Sequence, residues 1–227
     1  MKVVTWHKIH QLVLTHCLVC VAFGAAPNRL SSVQQSTPTI NVVVYGFHGL
    51  PSWVLDGTEA EAGRIFRRVD IQINWLDGNS EKDATSRPLV GGPSELVVRV
   101  VPHALPPASK TALAMAFPSA ESTGIVFIFY DRVVAMQTST SLLQTMLGRV
   151  LAHEITHLLL PGQEHSPSGL LRGHWSQDDL RFTSGAVETL PSHLVALLHR
   201  RLLLAAQSRT VQITSANVAS GANVRGN

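Results

Sequence analysis

The sequence predicts a mixed α/β fold of the α+β kind. A twisted, mostly parallel sheet is followed by a long helix that carries the chemically loaded residues and by a small helical C-terminal subdomain. Three observations predict it. Apolar runs of strand length recur between residues 40 and 130, the stretch between the first two has helical spacing, and a second helical stretch at 141–160 ends abruptly on Pro161 and Gly162. With 227 residues and 45% hydrophobic composition, the chain can bury a substantial core.

Residues 1–26 read as a secretory signal peptide: Lys2 and Lys8 precede an apolar run from Leu12 to Ala26 that closes on small residues. Cleavage after Gly24 finds Ala22 three positions back, which meets the small-x-small requirement. At about 15 residues the run is shorter than the roughly 20 a span needs, so no membrane span is expected once it is removed. Both cysteines, Cys17 and Cys20, fall inside the segment, and a processed chain would therefore contain no disulfide. An exported protein follows as the expectation, secreted or held in a bacterial periplasm and stabilised by its core. The formal charge is +3, and Lys2 and Lys8 supply two of those charges, leaving +1 on the processed chain. So small a charge, with no basic run, argues against nucleic acid or an anionic membrane surface as partner.

Residues 27–38 are polar and rich in Ser and Gln, as a linker would be, and the folded domain is expected over 39–207. Residues 40–45 form a continuous apolar run suited to a buried strand. Residues 52–68 suit a helix, and Val69, Ile71, Ile73 and Trp75 alternate with Asp70, Gln72 and Asn74 as a second strand. Such a strand-helix-strand unit forms a right-handed parallel crossover. Residues 78–94 mix Gly, Pro, Ser and charge without periodicity and read as a surface loop. A third strand is expected at 96–101, a short helix near 110–116, and a fourth strand at 125–130. After Trp175 the helix-prone stretch 190–207 carries Leu194, Leu197, Leu198, Leu202 and Leu203. The low-complexity tail 208–227 reads as disordered.

The stretch with chemical content is LAHEITHLLLPGQEHSPSGLLRGHW, residues 151–175. His153, Glu154 and His157 spell H-E-x-x-H on a helix, where residues four apart lie one above the other. Two neutral imidazoles at that spacing hold a zinc ion and leave an open position for water, whose proton the flanking Glu154 can take. Met146 and Val150 share the face of His153 and His157, behind a Ser/Thr cluster suited to capping. The third ligand is open to choice: His165 follows the Pro161-Gly162 reversal, and Glu188 and His174 are the other candidates.

This stretch resembles the metzincin clan of zinc peptidases, whose pattern is H-E-x-x-H-x-x-G-x-x-H followed by a tight turn bearing methionine. It is also similar to a group of bacterial proteins reading H-E-I-G-H-L-L-L-G, then H-S, G-I-M and a tryptophan. Here the glycine position is Leu160, the sixth position after the second histidine is Gln163, and His165 stands two residues later than the pattern places it. Gly169, Leu170 and Leu171 occupy the turn, with Leu171 where methionine is expected. No tyrosine follows the motif, so the tyrosine ligand of some relatives is absent. The resemblance implies one catalytic zinc on His153, His157 and His165, Glu154 as general base, and a peptide or protein substrate. It also implies that the strand before the active-site helix (Gly124, Ile125, Val126, Phe127, Ile128, Phe129 and Tyr130) forms the cleft rim and pairs with extended substrate. An interior strand is the alternative for that segment. Two other readings compete with the peptidase: a non-catalytic zinc-stabilised domain that binds peptides, and a metal-free helical core bearing histidines.

Overall fold

The computed structural model describes residues 37–80, 95–119, 124–136, 139–175 and 189–223. Expectations for the signal peptide, most of the linker, most of the 78–94 loop and residues 176–188 fall outside them. Among the described residues five strands form one sheet: β1 (Thr39–Tyr45), β2 (Gln72–Asp77), β3 (Glu95–Val101), β4 (Ala114–Phe117) and β5 (Gly124–Phe129). Their spatial order is β2-β1-β3-β5-β4. The first four in that order run parallel, and β4 lies antiparallel against β5 at the end of the sheet.

Parallel pairing needs a crossover, and α1 (Ser52–Arg67) supplies it between β1 and β2. The strands carry their apolar residues in register. Val42 sits beside Leu96, Val44 beside Val98 and Val98 beside Val126, all buried. Strands covered this way read as continuous Val/Ile/Leu runs, which is why β1, β3 and β5 are legible as runs in the sequence. The second strand begins at Gln72 rather than Val69, because Asp70 takes a left-handed conformation (φ 54°) in the turn that ends α1.

Three further expectations are corrected. The short helix near residues 110–116 is absent: residues 114–117 form strand β4, since Ala and Met yield to the ladder that β5 offers. Tyr130 opens a short helix, α2 (Tyr130–Ala135), and does not belong to the strand. The tail is helical through Asn223, because α4 (Ser192–Asn223) contains no proline to stop it and elongation adds one backbone bond per residue fixed.

The long helix α3 (Thr140–Leu159) packs against α1 and against β4 and β5. Gly148 permits the close approach of the helices: a β-carbon there would come within 2.5 Å of the Glu61 side chain. Beside it Arg149, 1% exposed, sends its Nε to 3.8 Å from Glu61 Oε1, and Arg64 grips the same carboxylate at 2.6 and 2.7 Å. A buried cation with a held carboxylate locks the relative rotation of α1 and α3. Leu198 and Leu202 of α4 join the common core, and His199 Nε2 lies 2.6 Å from the Val69 carbonyl. Among the described residues no helix is long and apolar enough to cross a membrane.

One carboxyl in this framework gives a pH prediction. Burial, then the charges of Asp56 and Asp77, push Glu59 up to about 7 from 4.5. The folded state therefore holds that proton to higher pH than the unfolded chain, and stability falls as pH rises between those two values. Glu59→Gln should be more stable than the parent at pH 8 by about 1 kcal/mol, after discounting for solvent screening, with the difference gone near pH 4. Urea unfolding of both proteins across that range measures it.

Candidate metal centre and cleft

Helix α3 starts where Ser139 Oγ accepts from the Leu142 amide at 3.4 Å. It ends as the sequence predicts: Leu160 leaves the helical region (φ −126°) and Gly162 (φ +84°) turns the chain. The reversal returns His165 to the two helical histidines. His153 Nε2 lies 3.1 Å from His157 Nε2 and 3.2 Å from His165 Nε2, and one ligand atom from each of the three falls within 4.8 Å of the others. Bonds of roughly 2.0–2.1 Å at a tetrahedral angle place two nitrogens about 3.3 Å apart, close to these separations.

The donor set fits a cation on chemical grounds. His153 Nδ1 donates to the Leu170 carbonyl at 2.8 Å, which leaves Nε2 with its lone pair aimed at the other two rings. Burial lowers His153 to about 4, so the ring is neutral near pH 7. His157 is lowered too, first by burial and then by the charge of His165, and it bonds to the main chain of Gln163. Converging nitrogen lone pairs, with His153 and His157 each oriented by a main-chain partner, are the arrangement a divalent ion rewards.

The turn that follows is stitched to the same histidine. Ser166 N donates to the Leu171 carbonyl at 2.8 Å, Arg172 N to Gly169 O at 3.3 Å, and Leu170 N to Thr189 O at 3.0 Å. Leu170 and Leu171 are both buried, so the expected turn residues Gly169, Leu170 and Leu171 do form a compact turn tied to His153. Gly169 takes φ +77°, and a β-carbon would come 2.5 Å from the Thr189 carbonyl oxygen. Gly169→Ala should therefore dislodge the strut behind His153 and weaken zinc binding by roughly 10- to 100-fold. Competition with a chromophoric chelator reads that loss directly.

Glu154 lines a cleft of about 1140 Å³ together with His153, His165, Trp175 and residues 109–114. Burial pushes its carboxyl up to about 7, a range in which one group can both accept and return a proton. His174 lines the same cleft but does not join the three-nitrogen group, and Glu188 lies outside the described residues.

The rim expectation is corrected. Gly124, Ile125, Val126, Phe127, Ile128 and Phe129 form β5, whose two sides are taken by β3 and β4, so this strand has no free ladder to offer a peptide. The end strand β4 stands in that position, and Ala114 with the segment before it lines the cleft. Sequence reasoning missed β4 because its four residues, Ala-Met-Ala-Phe, contain no β-branched side chain. The signal that could have found it is indirect: a short apolar run at 113–117 that follows a Pro-rich turn at 102–107.

A mostly parallel sheet ending in an antiparallel strand, backed by a helix with H-E-x-x-H, is the zinc-metallopeptidase fold, and this chain has it. Among solved structures it is similar to a zinc-dependent peptidase from Methanocorpusculum labreanum, with TM-score 0.51 and 12% identity over 69% of this chain and 99% of that one. Looser matches are archaemetzincin from Methanopyrus kandleri (TM-score 0.45, 13% identity, 75% and 98% covered) and metalloproteinase-II from Bacteroides fragilis (0.47, 12%, 73% and 54%). The fold assignment rests on the first. No family model and no curated protein matches the sequence.

Proposed function

We propose that the protein is an exported zinc endopeptidase, holding one zinc ion on His153, His157 and His165 and using Glu154 as general base. The observation that carries this reading is the convergence of three imidazole Nε2 atoms beside a buried carboxyl in an open cleft. The fold shared with a zinc-dependent peptidase supports it. Bound there, zinc would polarise a peptide carbonyl and acidify a water molecule. Glu154 takes the proton from the attacking water and delivers it to the leaving amine, so the carboxyl ends each cycle as it began. His153, fixed by the Leu170 carbonyl, keeps its tautomer throughout. Strand β4 gives an extended peptide a main-chain ladder that does not read side chains.

The test is metal analysis with a cleavage assay. Untagged protein should contain one zinc per chain after zinc exposure, and chelation should abolish cleavage of an unstructured protein substrate until zinc is restored. Less than about 0.2 zinc per chain would overturn the reading, since even weak three-histidine sites fill at millimolar zinc. For export, N-terminal sequencing of the protein recovered from a bacterial host's periplasm or medium should begin at Ala25. A full-length chain retained in the cytoplasm would refute that part.

A further inference from the structure

Three cations line the cleft that holds the histidines, Lys110, Arg132 and Arg172, and the hydrolytic chemistry uses none of them. Arg172 stands over the Trp175 ring, its guanidinium carbon 5.9 Å from the ring centre, and the other two stand on the side of β4. Lys110 lies in the segment before β4, and Arg132 lies on α2; both line the cavity with Glu154. Arg132 Nη1 donates to the carbonyls of Ser109 at 2.5 Å and Ala112 at 2.6 Å, and its guanidinium carbon sits 5.3 Å from the centre of the Phe129 ring. These partners are neutral, so they fix where the charge stands without cancelling it. Among the described residues neither Arg132 nor Lys110 forms an ion pair with a carboxylate. Asp131, the neighbour of Arg132, is turned to His103 at 3.2 Å and does not line the cavity. Glu154 is the one acid among the described lining residues. Arg132 thus does two things at once: it shapes the wall that leads into the end strand, and it makes that wall positive.

From this wall we infer that the cleft selects peptides carrying Asp or Glu close to the bond that is cut, with Lys110 and Arg132 as the selecting charges. The inference rests on the peptide-cleft reading above and adds the substrate class. Binding main chain along β4 is indifferent to side chains, so preference must come from groups such as these. Each cation is solvent-accessible, and the discrimination it gives is modest, roughly fivefold per residue at low salt.

The experiment uses zinc-loaded Glu154→Gln protein and two fluorescent peptides that differ only in Glu against Gln at the positions flanking the central bond. Anisotropy should show the Glu peptide binding more tightly by roughly fivefold or more, with the advantage shrinking at about 0.5 M salt. Lys110→Glu, at an exposed position with no side-chain partner to lose, should remove or reverse the preference, and Lys110→Gln should reduce it. Arg132→Gln keeps a donor for the wall carbonyls and should reduce it as well. In parallel, wild-type protein digests a mixed peptide pool, and the cut sites are read by mass spectrometry. Equal binding of the two peptides, or a preference that survives Lys110→Glu and Arg132→Gln unchanged, overturns the inference. Tight, salt-sensitive binding of acidic peptides with no cleavage by wild type upholds it and refutes the peptidase reading instead. Cleavage with no acidic enrichment does the reverse.

Discussion

Glu154→Gln should lower peptide cleavage by roughly 10²- to 10⁴-fold while leaving the zinc content at one per chain. Glutamine matches the carboxylate in size and can still hydrogen bond, but it cannot take a proton. The contacts among the ligand histidines do not involve Glu154, and its backbone sits within α3, so the substitution leaves the three-nitrogen geometry alone. The loss should fall on kcat, with binding of substrate changed little. Metal quantitation and kinetics on the same sample settle it. Retained activity would remove Glu154 from the chemistry, and retained peptide binding with no activity in either protein would favour the non-catalytic zinc-domain alternative.

His165→Ala should cost zinc affinity by at least two orders of magnitude, because it removes one of the three converging nitrogens on which the proposed site depends. The fold should survive. His165 is exposed and lies beyond the end of α3, whereas the core beneath it consists of Met146, Val150, Ile155 and the buried strand residues. Circular dichroism and denaturant unfolding in the presence of chelator should therefore match wild type, while titration with zinc separates them. Should the variant keep wild-type affinity, another residue must supply the third ligand, with His174 and Glu188 the residues to replace next. The contrast with Glu154→Gln is diagnostic: one variant keeps the metal and loses turnover, the other loses both.

How far the chain could be read without coordinates depended on whether the determining contacts were local. Helix α3 was legible because its signals sit within it: the cap at Ser139, the apolar spacing, and the stop at Pro161-Gly162. The histidine pair His153 and His157 comes with it, since spacing on one helix fixes their mutual position. His165 could be named as a candidate but not placed, because its position depends on how a two-residue-longer connection turns. Strand β4 is a case where partners decide: four residues of weak strand preference extend because β5 presents an open ladder. The rim expectation fails for the same reason, since without β4 the last strand in sequence looks like the last strand in space. Arg149 is silent in the sequence for a related reason. A charge in an apolar helix face becomes informative only when Glu61, far earlier in the chain, is seen against it. The helical tail shows the converse: residues that read as featureless by composition follow a helix already anchored by Leu194, Leu198 and Leu202.

The main chain of Leu170 is pinned from both sides, its carbonyl by His153 and its amide by the Thr189 carbonyl. A cage braced in that way is assembled before any ion arrives, so filling it asks for little rearrangement of the polypeptide. Zinc uptake should then be quick and should quiet amide hydrogen exchange only around 160–172, leaving the rates of the central strands untouched. Departure of the ion would be a local event, reversible without passing through an unfolded chain.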